Sequence, residues 1–192
     1  MSARTVSARH RVLGVSGSLR AASSNTGLVR LAQRVAPDGL AVHIVDWIDQ
    51  LPYYNFDLEA DPPSVVSRWR DEVTTADAIV IGLPEYNWGP SAVLKNAIDW
   101  ASRPFGGQAL KGKVIALLTS AGKSGGSHVQ ESLGTILQLI GNTVVTEPAV
   151  QIAMGPTRIS ADGQTDDGEV VALVSAKMAA VADALRARSS TG

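Results

Sequence analysis

Two stretches constrain this chain more than any other feature: residues 78–83 (AIVIGL) and 114–118 (VIALL) carry no polar side chain at all. Runs so short and so uniformly apolar are expected of strands covered on both faces, as in a parallel sheet between helical layers. The surrounding pattern agrees. Residues 12–15 form another apolar run that ends in Ser16, Gly17 and Ser18, and residues 40–45 alternate apolar with polar. A fifth candidate strand begins at 143–145 and can extend through 150–152. Between these strands apolar residues recur at helical spacing. The first and second stripes are Leu28, Leu31, Ala32, Val35 and then Val65, Val66, Trp69, Val73, Ala76. Val93, Leu94, Ala97, Ile98 and Ala101 form the third, and Val129, Leu133, Ile136, Leu137 and Ile140 the fourth. Val171, Val174, Met178, Val181 and Leu185 complete the set. Pro37-Asp38-Gly39 and Gly141 are the stop signals of the first and fourth helices.

Strand and helix in fivefold alternation require right-handed crossovers, and therefore helices on both sides of the sheet. The predicted fold class is α/β: a flavodoxin-like three-layer sandwich around a five-stranded parallel sheet of order 2-1-3-4-5. At 192 residues the chain suits one domain, expected over 11–188, with residues 1–10 as a short disordered arm. That arm carries Arg4 and Arg9 but no apolar core, so it does not read as a secretory signal. No run approaches the ~20 apolar residues of a membrane helix, and a cytoplasmic location without membrane insertion is expected. With no cysteine, a disulfide framework, a thiol nucleophile and a Cys-ligated metal are excluded. The net charge of −1 makes no electrostatic case for nucleic acid.

Ligands of open α/β sheets bind beyond the carboxyl ends of the strands where the strand order reverses, here between the first and third. The loops after strands one, three and four are chemically distinctive. The first contains Ser16, Gly17, Ser18, Leu19, Arg20, Ser23, Ser24, Asn25 and Thr26 and runs straight into a helix. Its hydroxyls, one guanidinium and the free N–H groups of a helix start can hold a phosphate; alternatively Ser23, Ser24 or Asn25 is simply the helix N-cap. G-x-G-x-x-G is absent, so this is not a dinucleotide fingerprint. The second loop, Pro84-Glu85-Tyr86-Asn87-Trp88-Gly89-Pro90, is stiffened by two prolines. It can present amides and carbonyls to the edge of a flat ring and cover its face with Tyr86 or Trp88, or its aromatics only pack. The third, Thr119 to Ser127, includes Gly122-Lys123-Ser124, but a nucleotide P-loop would need glycine at 117, which is leucine. What remains is a glycine-rich loop suited to close approach of a planar ligand.

No catalytic side chain is expected. His10 falls in the arm, His43 in a strand, and His128 at the start of the fourth helix reads as a surface or capping residue. No metal site is expected either. Trp47, Tyr53, Tyr54 and Phe56 crowd the long connection 47–61, which must be covered by a partner subunit or by its own chain.

Gly17-Ser18-Leu19-Arg20 with Ser23 and Asn25, and Pro84-Glu85-Tyr86-Asn87 followed by Pro90 and Leu94-Lys95-Asn96-Ala97-Ile98-Asp99-Trp100, resemble the NAD(P)H-dependent FMN reductases, relatives of the quinone, azo-dye and chromate reductases. Leu51-Pro52-Tyr53-Tyr54-Asn55-Phe56-Asp57 is similar to a third segment of that family, near the flavin and the partner subunit. The resemblance spans about 12–152. It implies FMN as cofactor, NADPH or NADH as donor, and a homodimer or homotetramer. It implies an enzyme moving hydride from NAD(P)H to FMN and then to a quinone, azo compound, chromate or free flavin. By the same resemblance Ser18, Arg20, Ser23, Ser24, Asn25 and Thr26 bind the FMN phosphate, Pro84, Glu85, Tyr86 and Asn87 meet the ring, and Ser120, Ala121 and Gly122 lie along its other side. Lys123-Ser124 departs from the family pattern, where a bulkier residue often precedes the paired glycines. The competing class is a flavodoxin-type electron carrier without nicotinamide activity, whose first loop is usually richer in threonine and whose charge is far more negative.

Overall fold

The computed structural model describes residues 10–189. Five strands, β1 (His10–Ser16), β2 (Leu40–Val45), β3 (Ala78–Leu83), β4 (Val114–Ala121) and β5 (Thr143–Ala153), form one sheet of order β2-β1-β3-β4-β5. Every pairing is parallel. The helices between and after them are α1 (Ser24–Arg34), α2 (Ser64–Thr74), α3 (Ala92–Ala101), α4 (Ser127–Leu139) and α5 (Gly168–Ser189). The expected order is thus the observed one. Residues 1–9 of the expected arm lie outside the described residues, while His10 is a correction: it opens β1, in register with Leu40.

The strands' two-residue period divides the core. Leu13, Val15, Ile79, Ile81, Ile115 and Leu117 face one way, under α2, α3 and α4. Val12, Ala78, Val80, Val114, Ala116 and Leu118 face the other, under α1 and α5. All six residues of β3 are buried, as an uninterrupted apolar strand between two helical layers demands. β1 has β2 on one side and β3 on the other, so the chain reverses its direction of travel across the sheet there and leaves a crevice at the strands' carboxyl ends.

β5 is one strand, but its register on β4 shifts between the pairs Ala116↔Val145 and Leu118↔Val150. Residues 146–149 are excess to the ladder, and their backbone must find partners elsewhere. Lys177 of α5, 1% exposed, serves the point where pairing breaks: its Nζ donates to the carbonyls of Val145 (2.8 Å) and Thr146 (2.9 Å). Burial pulls this ammonium down to about 8, against a weaker upward pull from Glu147. The native state therefore releases the proton before the unfolded chain does, so this group's contribution to stability rises with pH, from about 8 toward the ordinary lysine range near 10.5. Lys177→Met removes both donors and the titration. Thermal melts should show the deficit of the variant widening between pH 7 and pH 10; a constant offset would overturn the assignment.

Candidate functional site

The first loop is held open by its own hydroxyls. Gly17 N–H continues the pairing onto Gly82 O (2.8 Å), the Ser16 and Thr26 hydroxyls meet at 2.8 Å, and Ser18 N–H reaches Ser16 Oγ at 3.2 Å. Ser23 is the N-cap of α1, its Oγ accepting from Thr26 N–H. The first turn of α1 contains no acidic residue, so the positive end of the helix and its leading N–H groups have no internal anion. Ser24 and Asn25 turn inward toward β4. The Ser24 and Ser120 hydroxyls meet at 2.7 Å, and the Asn25 amide clasps the Ser120 backbone, accepting from its N–H (2.8 Å) and donating to its carbonyl (2.9 Å).

The second loop is a tight turn in which Tyr86 and Gly89 exchange both N–H···O bonds at 3.0 Å. Its central residues, Asn87 (φ 50°) and Trp88 (φ 64°), are left-handed, which asparagine tolerates and tryptophan resists. Trp88 stacks on His128, with ring centroids 4.5 Å apart and planes 24° apart. Glu85 fastens the same turn to α4. One carboxylate oxygen accepts from Ser124 Oγ (2.9 Å), the other from Val129 N–H in the first turn, where the N-cap, Gly126, has no side chain to offer. A carboxylate from another loop thus caps the helix. Ser91, N-cap of α3, ties the far end of the turn to the first loop by donating to Gly17 O (2.6 Å).

The three loops meet. Ser18, Arg20, Ser23, Ser24 and Asn25 line a cavity of about 320 Å³ together with Pro84, Glu85 and Tyr86 and with Ser120, Ala121 and Gly122. A fourth wall, Met154, Pro156 and Thr157 from the turn after β5, was not among the expected residues. Gly155 lets that wall close: a Cβ there would lie 1.7 Å from Ser120 Oγ. Thr26 and Asn87 do not line this cavity; Thr26 faces a second one on the other side of the first loop. Trp88 does not line it either, being committed to His128.

The donor set suits a phosphorylated flat ring. Arg20 is exposed and has neither hydrogen bond nor ion pair among the described residues, and it stands beside an uncompensated helix start. That combination is suited to a phosphate without a lysine cluster. Space open above Gly122, where an added Cβ would meet nothing within 4 Å, leaves room for a planar group against the third loop. The volume lies at the lower end of small-ligand sites, generally about 300–1,000 Å³.

The helix behind the second loop organises the aromatic connection. Asn96 accepts from Tyr54 N–H (2.7 Å) and donates to Pro52 O (2.9 Å), and Trp100 Nε1 donates to the same carbonyl (2.8 Å). Trp47 packs edge-on against Trp69 and Tyr54 against Trp100, so these two are covered by their own chain. The Tyr54 hydroxyl donates to Glu59 (2.5 Å), whose carboxyl is held below its ordinary range by Arg103 first and Tyr54 second. Tyr53 (84% exposed) and Phe56 (64%) remain outside.

Comparison with known proteins identifies the family. The family model described as NADPH-dependent FMN reductase matches residues 10–157. An NAD(P)H-dependent FMN reductase of Pseudomonas aeruginosa is 36% identical over 173 residues, 89% of this chain and 92% of that one. A quinone reductase of Pseudomonas putida is 36% identical over 160 residues, 82% and 86% of the two chains. Among solved structures, the flavoenzyme NAD(P)H:(acceptor) oxidoreductase of Paracoccus denitrificans superposes with a TM-score of 0.84 at 34% identity, covering 93% of this chain and 98% of its own. Match length and identity leave one assignment: the chain belongs to the NADPH-dependent FMN reductase family of oxidoreductases.

Proposed function

We propose that this chain holds FMN in the 320 Å³ cavity and reduces a small-molecule acceptor, a quinone foremost, at the expense of NAD(P)H. The observation that carries the reading is the convergence of loops from residues 18–25, 84–86 and 120–122 on one cavity beside a free guanidinium. Bound FMN would supply the hydride chemistry, accepting from NAD(P)H and giving to the acceptor. The protein's tasks are then to bind and orient. Arg20, Ser18 and the α1 start would take the phosphate, with Ser23 holding that start in place as its cap. Pro84 to Tyr86 and Ser120 to Gly122 would bracket the ring. Glu85, Ser91 and Asn25 join the three loops to one another and fix the spacing of that bracket. Thr26 and Asn87 support it from outside the cavity.

Family membership and the absence of a strongly negative charge favour the reductase over a flavodoxin-type carrier. Phe56 and Phe105 sandwich Arg103 at 5.6 and 4.1 Å, and Phe105 is 78% exposed. This aromatic face, with Tyr53, supports assembly as a homo-oligomer. Among the described residues no helix is long and apolar enough to cross a membrane, and a cytoplasmic location is part of the proposal.

Anaerobic mixing of the FMN-loaded protein with NADPH or NADH should bleach the flavin within a turnover, and added quinone should restore it; a flavin that stays oxidised refutes the reductase reading. Arg20→Ala should weaken FMN binding about tenfold or more, the worth of a charge-assisted hydrogen bond. The apoprotein's melting temperature should not move, because Arg20 has no partner among the described residues. Unchanged FMN affinity would remove Arg20 from the phosphate site.

A further inference from the structure

On the other side of the first loop lies a second cavity of about 650 Å³, between α1 and the edge strand β2. We infer that it seats the adenosine-phosphate end of the nicotinamide donor, an inference that rests on the reductase reading above.

Continuity comes first. Ser18 and Arg20 line both cavities, so an elongated ligand with one end at the flavin can cross the first loop without leaving the protein surface. The composition of the walls comes second. From α1, Arg30 donates to Ala161 O (2.9 Å), and Arg34 donates to Asp162 O (2.9 Å) and to Gly163 O. These acceptors are neutral carbonyls. They aim the guanidiniums, and neither arginine has a carboxylate within salt-bridge distance among the described residues, although Asp162 lies near enough for Arg34 to help hold its carboxyl below the usual range. Asp162 does face the same cavity, but its carboxylate is engaged by Ser160 Oγ and Gln164 N–H.

Across the groove stand Asp46, the residue directly after β2, and Asp49, both exposed. Neither has a hydrogen bond or ion pair among the described residues. An acidic side chain can take ribose hydroxyls and an arginine a ribose phosphate, the pairing that dinucleotide-binding sheets with the glycine fingerprint absent here place beyond their second strand. Here both are present, on opposite walls. Between them the half-buried Ile44, backed by the buried Val29 and Ile48, gives an apolar floor on which a purine can lie. Basic wall, acidic wall and apolar floor correspond to phosphate, hydroxyls and base. A purely anionic ligand would use only one of the three.

The test is calorimetric titration of FMN-loaded protein with adenosine 2′,5′-bisphosphate and, separately, with ADP-ribose. Neither probe carries a nicotinamide ring, so binding is read without turnover. Saturable binding is expected in the wild type. The bisphosphate should weaken at least tenfold in Arg30→Gln/Arg34→Gln, and ADP-ribose at least fivefold in Asp46→Ala/Asp49→Ala. FMN affinity should stay within twofold in both. The aspartate pair guards against a trivial result, since those side chains support nothing in the fold while the arginines anchor residues 161–163. The tighter probe identifies the donor as NADPH-like or NADH-like. Absence of heat with both probes, or equal dissociation constants in wild type and both variants, overturns the groove as the donor's seat. If bleaching by NAD(P)H persists in that case, the reductase reading stands alone; if wild-type protein is never bleached, it is that reading which fails.

Discussion

Gly82→Ala is expected to lower the melting temperature by roughly 2–12 °C and to abolish FMN retention on gel filtration, although the residue touches no ligand. Gly82 is the fifth residue of β3, where the start of α1 packs against the strand. A Cβ at this position would lie 2.4 Å from the backbone oxygen of Asn25 and 2.7 Å from Val29 Cγ2. The valine can rotate; the peptide of Asn25 cannot move without carrying the start of α1 away from the strand. Overpacking of this kind costs about 1–3 kcal/mol, and for a chain of this size each kcal/mol shifts the melting point by roughly 2–4 °C. The functional loss is larger because the displaced element is the phosphate-facing helix start, whose interaction with an anion falls off within one turn. Gly134→Ala is the matched control. It lies within α4, an added Cβ meets nothing within 4 Å, and the exchange should stabilise the protein by about 0.5–1 kcal/mol. If both variants melt like the wild type and retain flavin, close approach of α1 to β3 is not what builds the site.

The sheet was legible in the sequence because β3 and the first five residues of β4 have no polar side chain to mislead, and the helical stripes between the strands are long and regular. From strand order alone, the positions of the three loops that line the cavity followed. Ser23 caps α1 and also lines the cavity, so its cap role does not remove it from the candidate site. What the sequence hid are relations between segments. Nothing near Glu85 announces that it caps a helix 42 residues later; the available signal was negative, a fourth helix preceded by Gly126 with no side chain to serve as its own cap. Thr26 and Ser24 are both hydroxyl residues of the first helical turn, yet the helix's rotation sends one to the outer groove and the other to Ser120. The wall formed by Met154, Pro156 and Thr157 escaped notice because the excess residues 146–149 interrupt the last strand and obscure where it ends. The long aromatic connection answered both ways, with Trp47 and Tyr54 covered by their own chain and Tyr53 and Phe56 left outside.

Asn25 separates a residue that touches a ligand from one that makes the ligand's site. Its amide is 5% exposed and both of its polar atoms are spent on the Ser120 main chain, which leaves little for a phosphate. In Asn25→Ala the Ser120 N–H and carbonyl would both lose their side-chain partner in a buried setting, at about 1–3 kcal/mol for each group left unsatisfied. The apoprotein should therefore melt markedly lower, and FMN binding should weaken about 100-fold as the first and third loops part. Asn25→Asp is the sharper probe. It keeps an acceptor for the Ser120 N–H but sets a carboxylate oxygen against the Ser120 carbonyl, where the amide now donates at 2.9 Å. It also places a negative charge at the helix start that the phosphate would occupy, so its FMN affinity should fall at least as far as that of the alanine variant. Protonating that carboxylate removes its charge and returns a donor to the Ser120 carbonyl, so acidification should restore part of the lost binding, a recovery the alanine variant cannot show. A ligand role without a clamp predicts the opposite pattern: full apoprotein stability in Asn25→Ala, and loss of binding alone.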